Sequence, residues 1–147
     1  MEDVMGMKIM KSFFKQSLLL SLLLAISSVT TYAADYYDGV THISAQELAE
    51  KLKNPNAVLI DIRRQDEVDR GYIAGAVHIP ITGIMKDISL LDEHVGKDLI
   101  FYCHVGVRVN ILTDFLQKID HPSKDKLYHL KGDMRAWRAE GNEVLIK

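Results

Sequence analysis

The sequence has only one cysteine, Cys103, among its 147 residues. A lone cysteine excludes a disulfide within the chain and any zinc site built from several thiolates. Five histidines lie away from this cysteine, and none shows the spacing typical of metal ligands: His42, His78, His94, His121 and His129. We interpret these histidines as structural residues, and we expect neither a metal nor a cofactor.

The sequence also lacks an excess of positively charged residues. The chain has 18 basic and 20 acidic residues, which gives a formal net charge of -2. Because proteins that bind nucleic acids usually carry a strongly basic surface, we expect no nucleic-acid partner. The sequence has no internal repeat, and its 48% hydrophobic and 26% charged residues are ordinary for a globular protein. This length and composition predict one domain.

The N-terminal apolar run is too short to span a bilayer, which takes about 20 residues. This run, at residues 18–26, follows three lysines and precedes the small-residue pattern Thr31-Tyr32-Ala33. These three regions are typical of a secretory signal peptide. The alternative is an uncleaved anchor, which the shortness of the run disfavours.

We therefore predict a signal peptide at residues 1–33, cut after Ala33, and export to the periplasm if the source is Gram-negative. After cleavage, no stable association with a membrane is expected. Residues 34–39 are predicted to be a mobile lead, and residues 40–147 form the predicted folded domain. Exported proteins commonly carry disulfides, because their compartment is oxidising. A single free thiol in an exported protein therefore suggests that the thiol has a function.

Apolar runs alternate with helical patterns along the predicted domain. The runs typical of strands are at residues 40–43, 57–60, 76–79, 99–102 and 127–130. Helices are predicted after the capping box of Ser44 and Glu47, at residues 65–70, 84–95 and 133–139, and from Arg108 or Val109. This alternation predicts an α/β fold with a mainly parallel, five-stranded central sheet and helices on both faces.

Cys103 stands between the end of a predicted strand and the start of a predicted helix. The first N–H groups of a helix have no partner within it, and the helix dipole favours negative charge at this end. Gly106 lets the intervening backbone approach closely, and Arg108 adds a fixed cation. Such surroundings favour the thiolate form of a cysteine. The alternative is a small buried hydrophobic residue, but the spacing of Gly106 and Arg108 favours a reactive thiol.

Three motifs resemble the rhodanese-like sulfurtransferases. The segment from Cys103 to Arg108 is similar to their active-site loop, in which Gly is third and Arg is fifth after the Cys. Residues 59–80 resemble the family's Asp-x-Arg and Gly-x-Ile-x-Gly-Ala signature, and residues 128–137 resemble its last strand, glycine turn and helix. The motifs follow the family order, and the resemblance implies a rhodanese-like fold.

The resemblance also implies a reaction. Cys103 would take a sulfane sulfur from a donor such as thiosulfate, hold it as a persulfide, and pass it to cyanide, a small thiol or a thiol of a partner protein. Arg108 is the second implied catalytic residue, and the persulfide loop comprises His104, Val105, Gly106 and Val107. Related phosphatases and arsenate reductases have five residues between Cys and Arg, so the four found here favour sulfur transfer.

The resemblance suggests three supporting residues: Asp61, Arg63 and Glu67. In the family, the arginine of the loop has an acidic partner, and here either Asp61 or Glu67 fits that role. Arg63 is expected to meet an anionic substrate or to pair with Glu67, four residues further on. Asp61 also has an interpretation as a structural carboxylate of a turn.

Several loop residues depart from the family pattern. His104 stands where many members have Arg, Val109 stands where Ser or Thr is common, and Val105 and Val107 make the loop more apolar. These departures leave the natural donor open. The alternative function is a low-turnover module of the same fold that binds sulfide, persulfide or a partner, although retention of both Cys103 and Arg108 argues against it.

Overall fold

The computed structural model describes residues 39–146. The predicted signal peptide, and all of the predicted lead except Gly39, lie outside the described residues. None of the helices in the described region is long and apolar enough to cross a membrane.

Within this region, five parallel strands form one sheet in the order β1-β5-β4-β2-β3. The strands are β1 Thr41–Ile43, β2 Ala57–Asp61, β3 Val77–His78, β4 Asp98–Tyr102 and β5 Leu127–Leu130. The α-helices are α1 Ala45–Lys51, α2 Gln65–Asp69, α3 Ile81–Ile84, α4 Val107–Lys118 and α5 Asp133–Ala139. Two 3₁₀ helices span Ile88–His94 and Lys124–Lys126. The predicted five-stranded α/β fold is confirmed.

The central strand β4 is apolar on both faces because helices cover both sides of the sheet. Leu99, Phe101 and Cys103 belong to one hydrophobic cluster, together with the buried side of α4. Ile100 and Tyr102 belong to a second cluster, with buried residues of α1 and α5. Alternate side chains of an extended strand point to opposite faces, so β4 contributes to both clusters.

The predicted capping box at the start of α1 is confirmed. The Ser44 hydroxyl accepts the N–H of Glu47 at 3.2 Å, and the Glu47 carboxylate accepts the N–H of Ser44 at 2.7 Å. Each side chain satisfies a backbone donor that has no partner within the helix, and this fixes where α1 begins.

The segment predicted to be helical, residues 84–95, is helical in two separate pieces. The segment contains the end of α3 at Ile84 and then the 3₁₀ helix at Ile88–His94. Between them, the Asp87 carboxylate accepts the N–H of Ser89 at 3.1 Å. This bond caps the N-terminus of the 3₁₀ helix, so Asp87 marks where the second helix begins.

Candidate active site

The loop of Cys103 lies at the C-terminal edge of the sheet, between β4 and α4. Asp61, at the end of β2, stands in register beside Tyr102, at the end of β4. On the other side of β4, strand β5 leads to Gly132 and to Asp133 at the start of α5. Because the carboxyl ends of parallel strands meet at one edge, segments far apart in sequence surround this thiol.

Cys103 is 1% exposed and packs against apolar side chains at the base of its loop. Its Sγ accepts the N–H of Gly106 at 3.1 Å. Gly106 has a φ of 92°, a left-handed conformation that favours glycine, and it caps the N-terminus of α4. The sequence predicts several amides around the sulfur, and in residues 39–146 the backbone amide that donates to it is that of Gly106.

Arg108 connects the first turn of α4 to Glu67 on α2. Its two terminal nitrogens donate to the two carboxylate oxygens of Glu67 at 2.6 and 2.7 Å. Of the two acidic partners considered from the sequence, the structure pairs Arg108 with Glu67. The hydrogen bonds from Arg108 lower the pKa of Glu67 to about 2. The same bonds raise the pKa of Arg108, and the nearby Cys103 contributes to that increase.

Arg63 forms a buried ion pair with Asp61; of the two roles considered for Arg63 from the sequence, the structure does not form the side-chain pair with Glu67. The Nη2–Oδ2 distance is 2.6 Å, and the side chains are 3% and 1% exposed. Arg63 also donates to the backbone oxygens of Glu67 and Gly71. Because Arg63 precedes Arg64, the extended N-cap residue of α2, it lies outside the helix and the helical spacing rule does not apply to it. Asp61 therefore serves as a structural carboxylate that ties β2 to α2.

Tyr102 completes the cluster around Asp61. Its hydroxyl donates to Asp61 Oδ2 at 2.6 Å and accepts the N–H of Ile73 at 3.2 Å. Burial, followed by the charge of Asp61, raises the pKa of Tyr102, so this hydroxyl remains protonated. A protonated hydroxyl keeps its hydrogen bond to Asp61 and thereby joins the ends of β2 and β4.

Asp133 is a residue of this site that the sequence analysis missed. It is 1% exposed, its Oδ1 accepts the N–H of Cys103 at 2.6 Å, and its Oδ2 lies 2.8 Å from Nε2 of His129. The signal in the sequence is an acidic residue placed after β5 and Gly132, at the edge where Cys103 also lies. His129, predicted to be structural, lies within hydrogen-bond distance of this buried carboxylate.

The outer surface of the loop is apolar. Val105 is 48% exposed and Val107 is 60% exposed, and His104 beside them is also exposed. Two exposed valines offer nothing that attracts a small hydrated anion. This apolar part of the rim therefore gives no preference for thiosulfate as the donor.

The fold is a parallel α/β sheet, and its candidate active site is built around one cysteine. This cysteine lies just before a helix, beside an arginine that is paired with a carboxylate. A family model described as "Rhodanese-like domain" matches residues 44–140, a span that includes the whole Cys103 loop. The chain belongs to the rhodanese-like domain family.

Solved structures share this fold. A rhodanese-related protein from Thermoplasma volcanium superposes with a TM-score of 0.61 at 24% identity, covering 73% of this chain and 99% of that chain. A thiosulfate sulfurtransferase from Pseudomonas aeruginosa also has a TM-score of 0.61, at 22% identity, covering 73% of this chain and 20% of that chain. At these identities, the likeness shows the fold alone.

Curated relatives include a tRNA uridine(34) hydroxylase from Salmonella newport. It is 29% identical over 111 residues, which are 70% of this chain and 31% of that protein. The chain spans about a third of the length of the curated relatives that it matches. Membership of this family supports a sulfur-related function of the rhodanese fold, without singling out transfer from thiosulfate.

Replacing Glu67 with Gln is expected to lower the free energy of unfolding by about 2 kcal/mol near neutral pH, because charge-assisted hydrogen bonds to Arg108 are lost. The pKa of Glu67 is about 2 in the folded protein, below its ordinary value of 4.5. Ionised Glu67 therefore stabilises the fold above pH 4.5, and this contribution decreases as the pH falls toward 2. Denaturant unfolding of both proteins at a series of pH values measures the difference.

Glu50→Gln is the matched control, because Glu50 forms an exposed ion pair with Lys53. Its effect should stay below about 1 kcal/mol, as is usual for surface pairs. A Glu67→Gln difference that does not change with pH would contradict the ionised pair.

Proposed function

We propose that the protein is a sulfurtransferase that carries a sulfane sulfur on Cys103. In the first half-reaction, the Cys103 thiolate attacks the outer sulfur of thiosulfate or a similar donor. The sulfur–sulfur bond of thiosulfate breaks, its electron pair leaves with sulfite, and a Cys103 persulfide forms. In the second half-reaction, cyanide or an acceptor thiolate attacks the outer sulfur, and the electron pair returns to the Cys103 thiolate. Each half-reaction is balanced without a cofactor.

The observation that carries the proposal is the 3.1 Å hydrogen bond from the Gly106 N–H to the Cys103 sulfur. A donor that is already fixed in place stabilises negative charge on sulfur without having to reorganise. The thiol also lies at the start of α4, a helix of 12 residues, where the helix dipole favours an anion. Four residues separate Cys103 from Arg108, and such a small loop fits one sulfur better than a tetrahedral oxyanion.

The burial of Cys103 supports the use of a persulfide as the reactive group. Its side chain is almost inaccessible at 1% exposure, so a bulky acceptor has little direct access to Sγ. A persulfide extends the side chain by one sulfur–sulfur bond of about 2 Å. The acceptor then needs to reach only the outer sulfur of the loaded protein.

A second candidate is a low-turnover module of the same fold that binds sulfide, persulfide or a partner protein. The same burial favours it, because a sulfur that is hard to reach exchanges slowly with acceptors. The presence of both Cys103 and Arg108 favours the enzyme. The two candidates differ in whether the loaded sulfur leaves again repeatedly.

The proposed setting is the periplasm or another exported compartment, on the strength of the signal-peptide pattern in residues 1–33. The proposed acceptors are cyanide, a small thiol or a thiol of a partner protein. Nucleic acid is not among them, although a tRNA appears in the names of the hydroxylase relatives. A net charge of -2 gives this chain no overall attraction for a polyanion of that size.

Incubation with thiosulfate should increase the intact mass of the protein by about 32 Da, the mass of one sulfur atom held covalently. Cyanide should then remove this mass and release an equal amount of thiocyanate. Cys103→Ser should show neither change, because a hydroxyl does not form a persulfide under these conditions. Intact-protein mass spectrometry and a thiocyanate assay measure both half-reactions.

Sulfate is the matched control for thiosulfate, because it lacks a sulfane sulfur. Circular dichroism shows whether Cys103→Ser is folded. An adduct on the folded Cys103→Ser variant would rule out this thiol as the carrier. An adduct that cyanide removes once, but that does not form again in repeated cycles, would favour the low-turnover module.

A further inference from the structure

A cleft of about 460 Å³ opens beside the Cys103 loop. Four arginines line it, together with His104 of the loop: Arg63, Arg64, Arg70 and Arg138. His104 directly follows Cys103 in the chain, so the cleft borders the proposed reaction centre. Its volume lies in the range of about 300–1,000 Å³ that is typical of small-molecule sites.

Positive charge exceeds negative charge in this arginine cleft. The Asp66 carboxylate is shared between Arg64 and Arg70, at distances of 2.9 and 3.0 Å. Arg138 has no carboxylate partner in the described part of the chain and donates to the backbone oxygen of Arg70 at 2.8 Å. Arg63 and Glu67 add no net charge to the cleft, because each forms an ion pair, with Asp61 and Arg108 respectively. The cleft is thus a positive region on a chain whose net charge is -2.

We propose that the arginine cleft binds the anionic groups of the sulfur acceptor, a small thiol that carries two or more carboxylates or phosphates. This inference rests on the proposed sulfur transfer and names its acceptor class. A guanidinium group can donate two parallel hydrogen bonds to the oxygens of one carboxylate or phosphate. The arginines therefore favour ligands that carry either group. Thiosulfate is much smaller than the cleft, whereas a molecule of tripeptide size is closer to its volume and would border His104 when bound there.

Glutathione and glutathione diethyl ester form a matched pair of probes, because they share one thiol and differ in their carboxylates. The double variant Arg70→Gln/Arg138→Gln should raise the KM for glutathione about tenfold, the effect expected for two partly exposed charge contacts. The KM for the diethyl ester should change less than about twofold. Coenzyme A serves as the phosphate-bearing probe in a parallel series.

Lys53→Gln is the control variant, since Lys53 is an exposed, paired cation that follows α1 at the opposite edge of the sheet. It removes one positive charge far from the cleft and should leave all KM values unchanged. A stronger effect of the double variant on coenzyme A than on glutathione assigns phosphate as the bound group. A KM for glutathione that is equal in the wild type and the double variant overturns the inference, as does an increase confined to thiosulfate.

Binding of S-methylglutathione to the wild type and the double variant separates this inference from the proposed function. This probe has no free thiol, so calorimetry measures its affinity without any sulfur transfer. Affinity that falls about tenfold in the double variant supports the cleft even if no persulfide ever forms. Equal affinity in both proteins overturns it even if sulfur transfer is efficient.

A second inference rests on the backbone of Asp133. Its φ of 56° is left-handed, although the residue is not glycine and is 1% exposed. Such a conformation is unfavourable for residues with a side chain, and Asp and Asn tolerate it better than most. A buried residue kept in this conformation implies that its side chain makes a compensating contact.

We infer that Asp133 is a positioning residue for the Cys103 loop, a role that rests on the proposed function. Its Oδ1 binds the N–H of Cys103 at 2.6 Å, and a Cβ added to Gly106 would lie 3.1 Å from its Oδ2. The carboxylate therefore binds the turn at Cys103 and lies close beside it at Gly106. His129, at 2.8 Å from Oδ2, orients that carboxylate. The turn keeps the Gly106 N–H directed at the sulfur.

Asp133→Gly removes the carboxylate and also relieves the left-handed backbone. It should slow persulfide formation at saturating thiosulfate by about tenfold or more, as expected for one lost charge-assisted hydrogen bond. The KM for thiosulfate should change less than about threefold. The amide-proton resonance of Cys103 should shift upfield, because its acceptor is lost.

Asp133→Asn is the conservative variant, because its amide oxygen can still accept the N–H of Cys103. It should form the persulfide at close to the wild-type rate. Asp125→Asn is the control, since Asp125 is exposed and lies before β5. A folded Asp133→Gly variant that loads sulfur within about twofold of the wild-type rate overturns the inference. If the wild type forms no persulfide, the proposed function fails, and the Cys103 resonance alone decides the role of Asp133.

Discussion

Three carboxylates hold the C-terminal edge of the sheet in one arrangement. Asp61 on β2, Glu67 on α2 and Asp133 on α5 each accept hydrogen bonds from a residue near the Cys103 loop or from the loop itself. Removing one partner of a buried charge leaves the other unpaired, which is far less favourable than keeping the pair. These contacts therefore restrain the loop from three directions, and the position of the thiol depends on them.

The pairing of Arg108 changes how its charge acts on the sulfur. Both terminal nitrogens of its guanidinium donate to Glu67 at 2.6–2.7 Å, so much of its field is neutralised close by. The Gly106 N–H donates directly to the Cys103 sulfur at the start of α4. Under the proposed function, we therefore assign the stabilisation of negative charge on the sulfur to the backbone together with Arg108, which also joins α4 to α2.

Local patterns in the sequence predicted the sheet, the capping box at Ser44 and the position of the Cys103 loop, because each depends on neighbouring residues. Predictions were incomplete where a partner was not local or a cap divided a helical segment. Asp87 caps a separate 3₁₀ helix within the segment predicted to be helical over residues 84–95. Asp133 escaped notice because its main partner, Cys103, is 30 residues away and is reached only through the strand order.

The two sides of His104 differ in a way that bears on how an acceptor approaches. On one side, Val105 and Val107 expose apolar surface, and a hydrated anion loses solvation there without gaining a partner. On the other side lies the arginine cleft, in which guanidinium groups replace the lost hydration. In the proposed transfer, an acceptor with carboxylates or phosphates would therefore approach on the side of the arginine cleft. Its charge, more than the reactivity of its thiol, would then determine which acceptor reaches the outer sulfur.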